Sequence, residues 1–151
     1  MRKEFIDLME ENLAVMFWLS HRVQGSVNML GYSRQQLRTL VHIYLGGRAM
    51  LKDLARSSVM SPSNLCPILK HLEQDGLVER ETDETDRRNT WYSLTSAGSK
   101  IARLAMDEFG KRIDTMFSGM NKKDELQLTE ALRTMNGILV AIKTKHEKKS
   151  E

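Results

Sequence analysis

Residues 51–77 read LKDLARSSVMSPSNLCPILKHLEQDGL, and this stretch predicts two short helices joined by a turn. Apolar residues recur at helical spacing over 51–57, which predicts the first helix. A serine-rich turn follows, and Pro62, a residue favoured in the first turn of a helix, begins a second helix that runs to about Gln74. Asp75-Gly76 then ends it. The stretch therefore predicts a helix-turn-helix.

The second helix has an apolar face and an opposite face of short polar side chains. Short polar groups on an exposed helix suit the reading of base edges in the major groove of DNA. The residues that we predict to contact DNA on this helix and at its start are Ser61, Ser63, Asn64, Pro67, Lys70 and His71. Lys52 and Arg56, on the preceding helix, are predicted to contact phosphates. An ordinary solvated helix face would have the same composition, so the face alone leaves that alternative open.

A β-hairpin is predicted after this pair of helices. Leu77–Thr82 and Thr90–Thr95 are rich in β-branched and aromatic residues, and a polar stretch, 83–89, separates them. An arginine at the tip of such a ribbon can enter a narrow minor groove, where the negative potential is strongest. Charged loops are usually just solvated, but the position of this one, after a helix-turn-helix, predicts a DNA-binding wing. Its predicted contact residues are Asp86, Arg87, Arg88 and Asn89.

These features together resemble the MarR family of winged-helix regulators over roughly residues 33–104. The segments that carry the resemblance are Leu54-Ala55, LEQDGLVER at 72–80, Asp86-Arg87-Arg88 and LTSAG at 94–98. The resemblance implies an obligate dimer joined by its terminal helices, binding to palindromic operator DNA, and commonly release by a small ligand or an oxidant. It identifies neither the operator nor the effector, and it does not distinguish a repressor from an activator, although a repressor is the expectation.

Three residues depart from the family pattern. Met50 stands where the family usually has a capping Thr, and Ser58 where it often has a leucine. Pro67, inside the second helix, resembles a proline of the peroxide-sensing branch, but that branch senses with a cysteine in its first helix, which this chain lacks. Cys66 has two interpretations: a redox sensor on the DNA-reading helix, or a small residue where the family often has Thr.

Helical periodicity dominates both ends of the chain, so we predict a mainly α fold with a small β-hairpin. A long amphipathic helix precedes Gly31, and Ser33 with Gln36 forms a capping box that begins the next helix. The expected organisation is a single domain, 1–151, with a winged helix-turn-helix lobe at 33–95. Helical dimerisation regions at 1–30 and 97–145 flank this lobe, because their apolar stripes exceed what the middle of the chain can cover.

Composition narrows the classes of function only weakly. The formal net charge is +3, but Arg48–Thr95 holds seven basic and eight acidic residues, so any DNA binding must depend on where the charges lie. No apolar run approaches the roughly 20 residues of a membrane span, and no membrane partner is predicted. A single cysteine permits no internal disulfide, which suits the cytoplasm.

Other classes of function have weaker support. The four histidines are scattered, so no metal site is predicted, and no cofactor is predicted either. No phosphate-binding glycine loop or nucleophile motif is present, which predicts that the chain is not an enzyme. The competing interpretation is a dimeric helical interaction module that keeps the fold without binding DNA. Its support is the acidic stretch Glu79, Glu81, Asp83 and Glu84.

Overall fold

The structure is a computed structural model that describes residues 2–24, 28–58, 60–82 and 90–147. The chain divides into two compact units, residues 1–113 and 114–151; that these make one domain stays a prediction. The helices are α1 (Arg2–Gln24), α2 (Arg34–Gly46), α3 (Leu51–Ser58), α4 (Pro62–Gln74), α5 (Ser96–Phe117) and α6 (Lys122–Glu147). The strands are β1 (Asn28–Met29), β2 (Tyr32–Ser33), β3 (Ala49–Met50), β4 (Val78–Thr82) and β5 (Thr90–Leu94). The predicted mainly α fold with a small β wing is confirmed.

The first helix is shorter than predicted. The sequence predicts this helix from about Lys3 to Met29, and its C-terminal end is wrong: α1 ends at Gln24, and Asn28–Met29 form β1, which pairs with β2 in an antiparallel hairpin. Leu30 (φ 59°) and Gly31 (φ 79°) occupy its two-residue turn. Positive φ at both positions gives the type I′ geometry that suits the strand twist. Two-residue strands are too short for an alternating pattern to outweigh the helical spacing of the neighbouring apolar residues.

The core lies between α2, α3, α4, the β3–β5 sheet and the start of α5. Its fully buried side chains include Leu40, Ile43, Leu65, Leu69 and Leu72. Burying each leucine stabilises the fold by roughly 1.5–3 kcal/mol, so the three leucines of α4 hold that helix firmly by its inner face. The capping box of Ser33 and Gln36 is confirmed at the start of α2.

The wing sheet has three strands rather than two, in the order β3-β5-β4, all antiparallel. The predicted hairpin pairs Val78 with Leu94 and Thr82 with Thr90. The additional strand β3 pairs Met50 with Trp91 on the other side of β5. Tyr92 and Val78 are buried against the helices, whereas Glu79 and Glu81 of β4 are exposed.

Hydrogen bonds join α4, β4 and α5 where the chain leaves the helix-turn-helix. The Leu77 N–H donates to the Leu72 carbonyl (2.9 Å), and the Thr95 N–H donates to the Leu77 carbonyl (3.1 Å). The Thr95 hydroxyl donates to the Gly76 carbonyl (2.7 Å) and accepts from the Gly98 N–H (3.0 Å). The end of α4 and the start of α5 are thereby fixed to one another.

Both terminal helices carry exposed apolar side chains. On α1, Phe5, Leu13 and Phe17 each expose more than 60% of their surface. On α6, the apolar residues recur at alternating spacings of four and three: Leu128, Leu132, Met135, Leu139 and Ile142. Across the described ranges, no helix is both long and apolar enough to span a membrane.

Candidate nucleic-acid interface

The helix-turn-helix forms from α3 and α4, and its turn is stabilised by local hydrogen bonds. The Met60 N–H donates to the Ala55 carbonyl (3.1 Å) at the end of α3. The buried Ser58 hydroxyl donates to the Leu54 carbonyl of the same helix. Ser58 thus meets its hydrogen-bonding need within α3, which explains how a polar residue is accommodated at a buried position of the turn.

The exposed face of α4 is the one that the spacing predicts. Leu65, Leu69 and Leu72 point into the core. The exposed residues of the helix include Ser63, Asn64, Cys66, Pro67, Lys70 and His71. Their exposure makes them available to a ligand, while their contact with DNA stays a prediction.

Ser61 lies just before α4 and caps it. Its hydroxyl accepts the Asn64 N–H (3.3 Å) and lies 2.9 Å from the Ser63 hydroxyl. Capping a helix satisfies a backbone N–H that would otherwise have no partner. Ser61 therefore has a structural role at the N-terminus of α4, and Ser63 and Asn64 are the first side chains beyond Pro62 on this helix.

His71 contacts its own lobe through one ring nitrogen. Its Nδ1 lies 3.3 Å from the Asp75 carboxylate and 3.3 Å from the Gln36 amide nitrogen. The Gln36 amide oxygen accepts the Ser33 N–H (2.7 Å), which orients the amide nitrogen toward His71. Of the two ring nitrogens, Nε2 is the one left to serve a DNA contact.

The basic residues Lys52 and Arg56 are both exposed on α3. Lys52 lies in the first turn of α3, where backbone N–H groups without helical partners add to its positive potential. Arg56 lies in the last turn of the same helix. Both positions are compatible with the predicted phosphate contacts.

The predicted wing contacts Asp86, Arg87, Arg88 and Asn89 lie outside the described residues. The strands that lead to them are described, and so is a cluster at their base that the sequence analysis missed. The Arg48 guanidinium lies over the Trp91 ring (4.7 Å to the ring centroid), and its Nη2 lies 3.0 Å from a Glu81 carboxylate oxygen. The three residues are far apart in sequence, so no local pattern could have identified the cluster.

The side chain of Cys66 is free and exposed on α4. The chain has no second cysteine, so oxidation of Cys66 could not form an internal disulfide. A redox role for Cys66 stays a prediction. Within residues 2–24, 28–58, 60–82 and 90–147, no group of three or more His, Cys, Asp or Glu is placed to hold a metal ion.

Comparison with known proteins agrees with this architecture. The sequence profile of the MarR family matches residues 32–90. YwhA, an HTH-type transcriptional regulator of Bacillus subtilis, is 32% identical over 83 residues, which are 55% of this chain and 60% of the relative. The organic hydroperoxide resistance transcriptional regulator of Bacillus subtilis is 26% identical over 145 residues, 93% of each chain.

The fold also matches that of a protein solved on DNA. The crystal structure of the Staphylococcus aureus MepR–DNA complex superposes with a TM-score of 0.62 at 21% identity, covering 82% of this chain and 95% of that one. The named relatives are regulators, so the prediction that the chain is not an enzyme is confirmed. The chain thus carries a segment, residues 32–90, that matches the MarR family, and it is similar to proteins named as transcriptional regulators.

Proposed function

We propose that this protein is a homodimeric repressor that places α4 of each subunit in the major groove of a palindromic operator. The observation that carries the proposal is the exposed polar face of α4, held from behind by the buried Leu65, Leu69 and Leu72. A rigid helix keeps its side chains at fixed distances from the bases, which sequence readout by hydrogen bonds requires. The first contacts come from Ser63 and Asn64, at the N-terminal end of the helix.

Exposed apolar surface on both terminal helices supports the dimer. Contiguous apolar patches of this kind are uncommon on monomers and mark protein interfaces. The spacing of four and three along α6 is that of helices packing side by side. A two-fold dimer presents its two reading helices about one helical turn apart on DNA, and this spacing matches a palindrome.

The wing supplies the second DNA contact of each subunit. Arg87 and Arg88 follow the strand β4, which pairs along its whole length with β5. We propose that one of them enters the minor groove and that Asp86 orients it by pairing. Because Arg48–Thr95 has no net positive charge, binding depends on these placed cations and on Lys52, Arg56 and Lys70.

Repression follows if the operator overlaps a promoter, because a bound dimer then excludes the polymerase. Such a protein acts in the cytoplasm, where the chromosome lies. We further propose that a small molecule releases the repressor by changing the separation of the two reading helices, since DNA of fixed pitch tolerates only one spacing.

The experiment is selection of genomic fragments by the purified protein, followed by affinity measurements across a range of salt concentrations. We expect enrichment of palindromes with half-sites about one helical turn apart, and affinity that falls steeply as salt rises. Arg88→Ala is expected to weaken binding severely without changing helicity or the mass of the dimer. A dimer that selects no DNA would instead support the interaction module.

A further inference from the structure

Arg48 is held at the outer surface of the wing by two contacts. It precedes β3, and its guanidinium stacks on Trp91 of β5 at 4.7 Å while Nη2 pairs with Glu81 of β4 at 3.0 Å. Trp91 and Glu81 are themselves a cross-strand pair. An arginine stacked on an aromatic ring and paired with a carboxylate loses much of its rotational freedom before any ligand binds.

The cluster lies near the end of the described wing strands, from which the chain continues to the residues proposed to enter DNA. The Glu81–Trp91 pair is directly followed by the pair Thr82–Thr90, and the two strands then continue into residues 83–89. A strand advances about 3.3 Å per residue, so the Glu81–Trp91 pair that holds the guanidinium is one such step from the last described strand pair. The minor groove is only about 6 Å wide, so a wing inserted into it would lie close to the phosphates on both sides of the groove.

The guanidinium keeps donors for a further ligand. A guanidinium has five N–H donors, and the contact with Glu81 joins one nitrogen, Nη2, to one carboxylate oxygen. The Arg48 side chain is also 48% exposed. Only two residues, those of β3, separate Arg48 from α3, whose first turn holds the exposed Lys52. A cation therefore lies near each end of β3, Arg48 before it and Lys52 after it.

We propose that Arg48 binds a backbone phosphate beside the groove that the wing enters, and that Glu81 weakens this contact by competing for the guanidinium. The proposal rests on the DNA binding proposed above. A phosphate contact carries no sequence information, so Arg48 adds affinity equally for operator and for other DNA. Glu81 then lowers the affinity for DNA of any sequence. This effect would explain why a DNA-binding protein carries acidic residues on a strand of its wing.

The test compares Arg48→Ala and Glu81→Gln with the full-length wild-type protein, on the selected operator and on a scrambled duplex. Each subunit of the dimer loses one phosphate contact worth about 0.9 in the salt slope, so Arg48→Ala is expected to weaken binding roughly sixtyfold near 0.1 M salt on both duplexes. The slope itself should fall by about 2, one for each subunit. Glu81→Gln should strengthen binding by up to about fivefold per subunit, the range of an exposed ion pair.

Two further variants separate a specific effect from general charge. Glu81→Gln made in the Arg48→Ala background should have almost no effect if Glu81 acts through Arg48. Glu79→Gln, on the same face of β4, removes an equal charge that has no contact with Arg48 among the ion pairs of the described chain. It should therefore strengthen binding less than Glu81→Gln does. Arg133→Ala removes an arginine from a comparable exposed pair with Glu130 on α6 and should lower affinity less than Arg48→Ala does.

The outcomes that overturn the inference differ from those that overturn the proposed function. Unchanged affinity of Arg48→Ala, with wild-type binding intact, overturns the inference alone. A loss confined to the operator would overturn the phosphate assignment, because a sequence-independent phosphate contact should weaken binding to both duplexes. Equal effects of Glu81→Gln with and without Arg48 would overturn the competition. Absence of DNA binding by the wild-type dimer would overturn both proposals together.

Discussion

Gly98 of α5 lies directly against the backbone of Leu77. A Cβ added at Gly98 would be 1.9 Å from the Leu77 carbonyl oxygen and 2.9 Å from its carbonyl carbon. The same carbonyl accepts the Thr95 N–H, so it cannot turn away without losing a hydrogen bond. The glycine of the segment LTSAG is therefore required by the close approach of α5 to the exit of the helix-turn-helix.

Gly98→Ala is expected to destabilise the protein by roughly 1–3 kcal/mol, because the backbone of α5 or of Leu77 must move to admit the methyl group. Gly110→Ala, on the same helix, is the matched control, since nothing lies within 4 Å of its added Cβ. That change should stabilise the helix by roughly 0.5–1 kcal/mol. Urea denaturation of the two variants measures both values. Equal stability of the two variants would contradict the close contact.

Thr95→Val should lower the free energy of unfolding by roughly 1–2 kcal/mol, the range for loss of a helix cap. The Thr95 hydroxyl both caps α5 and donates to the Gly76 carbonyl, and valine keeps the shape, so the loss reports these two hydrogen bonds. Ser96→Ala, at the exposed neighbouring position, should leave stability within about 0.5 kcal/mol. The midpoints of thermal unfolding give the comparison. A Thr95→Val variant as stable as the wild type would show that the junction does not need this hydroxyl.

Alkaline pH should destabilise the wing lobe through Tyr92. Burial raises the pKa of Tyr92 above its ordinary value of 10.0, and nearby Arg80 partly opposes this. The unfolded chain then loses the phenolic proton before the folded chain does. Consequently the free energy of unfolding is unaffected below about pH 10 and falls as pH rises from there through the folded pKa. Tyr92→Phe should flatten this decline in urea titrations across pH, whereas Tyr44→Phe, at an exposed position, should leave it in place.

Cys66 offers a direct probe of the reading face, because it is the single cysteine and is exposed on α4. Operator DNA is expected to slow its alkylation by a maleimide, and a bulky adduct should block operator binding by preventing entry of α4 into the groove. The control moves the thiol to α6 in the double variant Cys66→Ser/Gln127→Cys, whose alkylation DNA should not slow. Equal protection at both positions would argue against α4 as the reading helix.

Leu132→Glu combined with Leu139→Glu should convert the proposed dimer to a monomer, because two charges would be buried in the apolar stripe of α6. Sedimentation or light scattering measures the mass, and operator affinity should fall with it. Thr134→Glu, on another face of α6, should leave the dimer intact. A double variant that remains dimeric would place the interface elsewhere.

Much of the lobe that carries the candidate site was predictable because its signals are local. The capping box of Ser33 and Gln36 and the start of α4 at Pro62 depend on residues within one helical turn. The apolar spacing of Leu65, Leu69 and Leu72 correctly predicted which face of α4 is exposed. The sequence predicted a DNA contact for Ser61 but not its role as the cap of α4, because the same small polar residue types serve both roles.

The amino-acid sequence by itself determined the order of the helices, the bounds of α4 and the paired strands of the wing, since each depends on neighbours along the chain. Only the tertiary structure decided that β3 joins the wing sheet, that Arg48 meets Glu81 and Trp91, and that Gly98 must lack a side chain. These contacts bring together residues that are far apart in the chain. Such contacts contribute to stability only after folding has placed the partner residues within a few ångströms of one another.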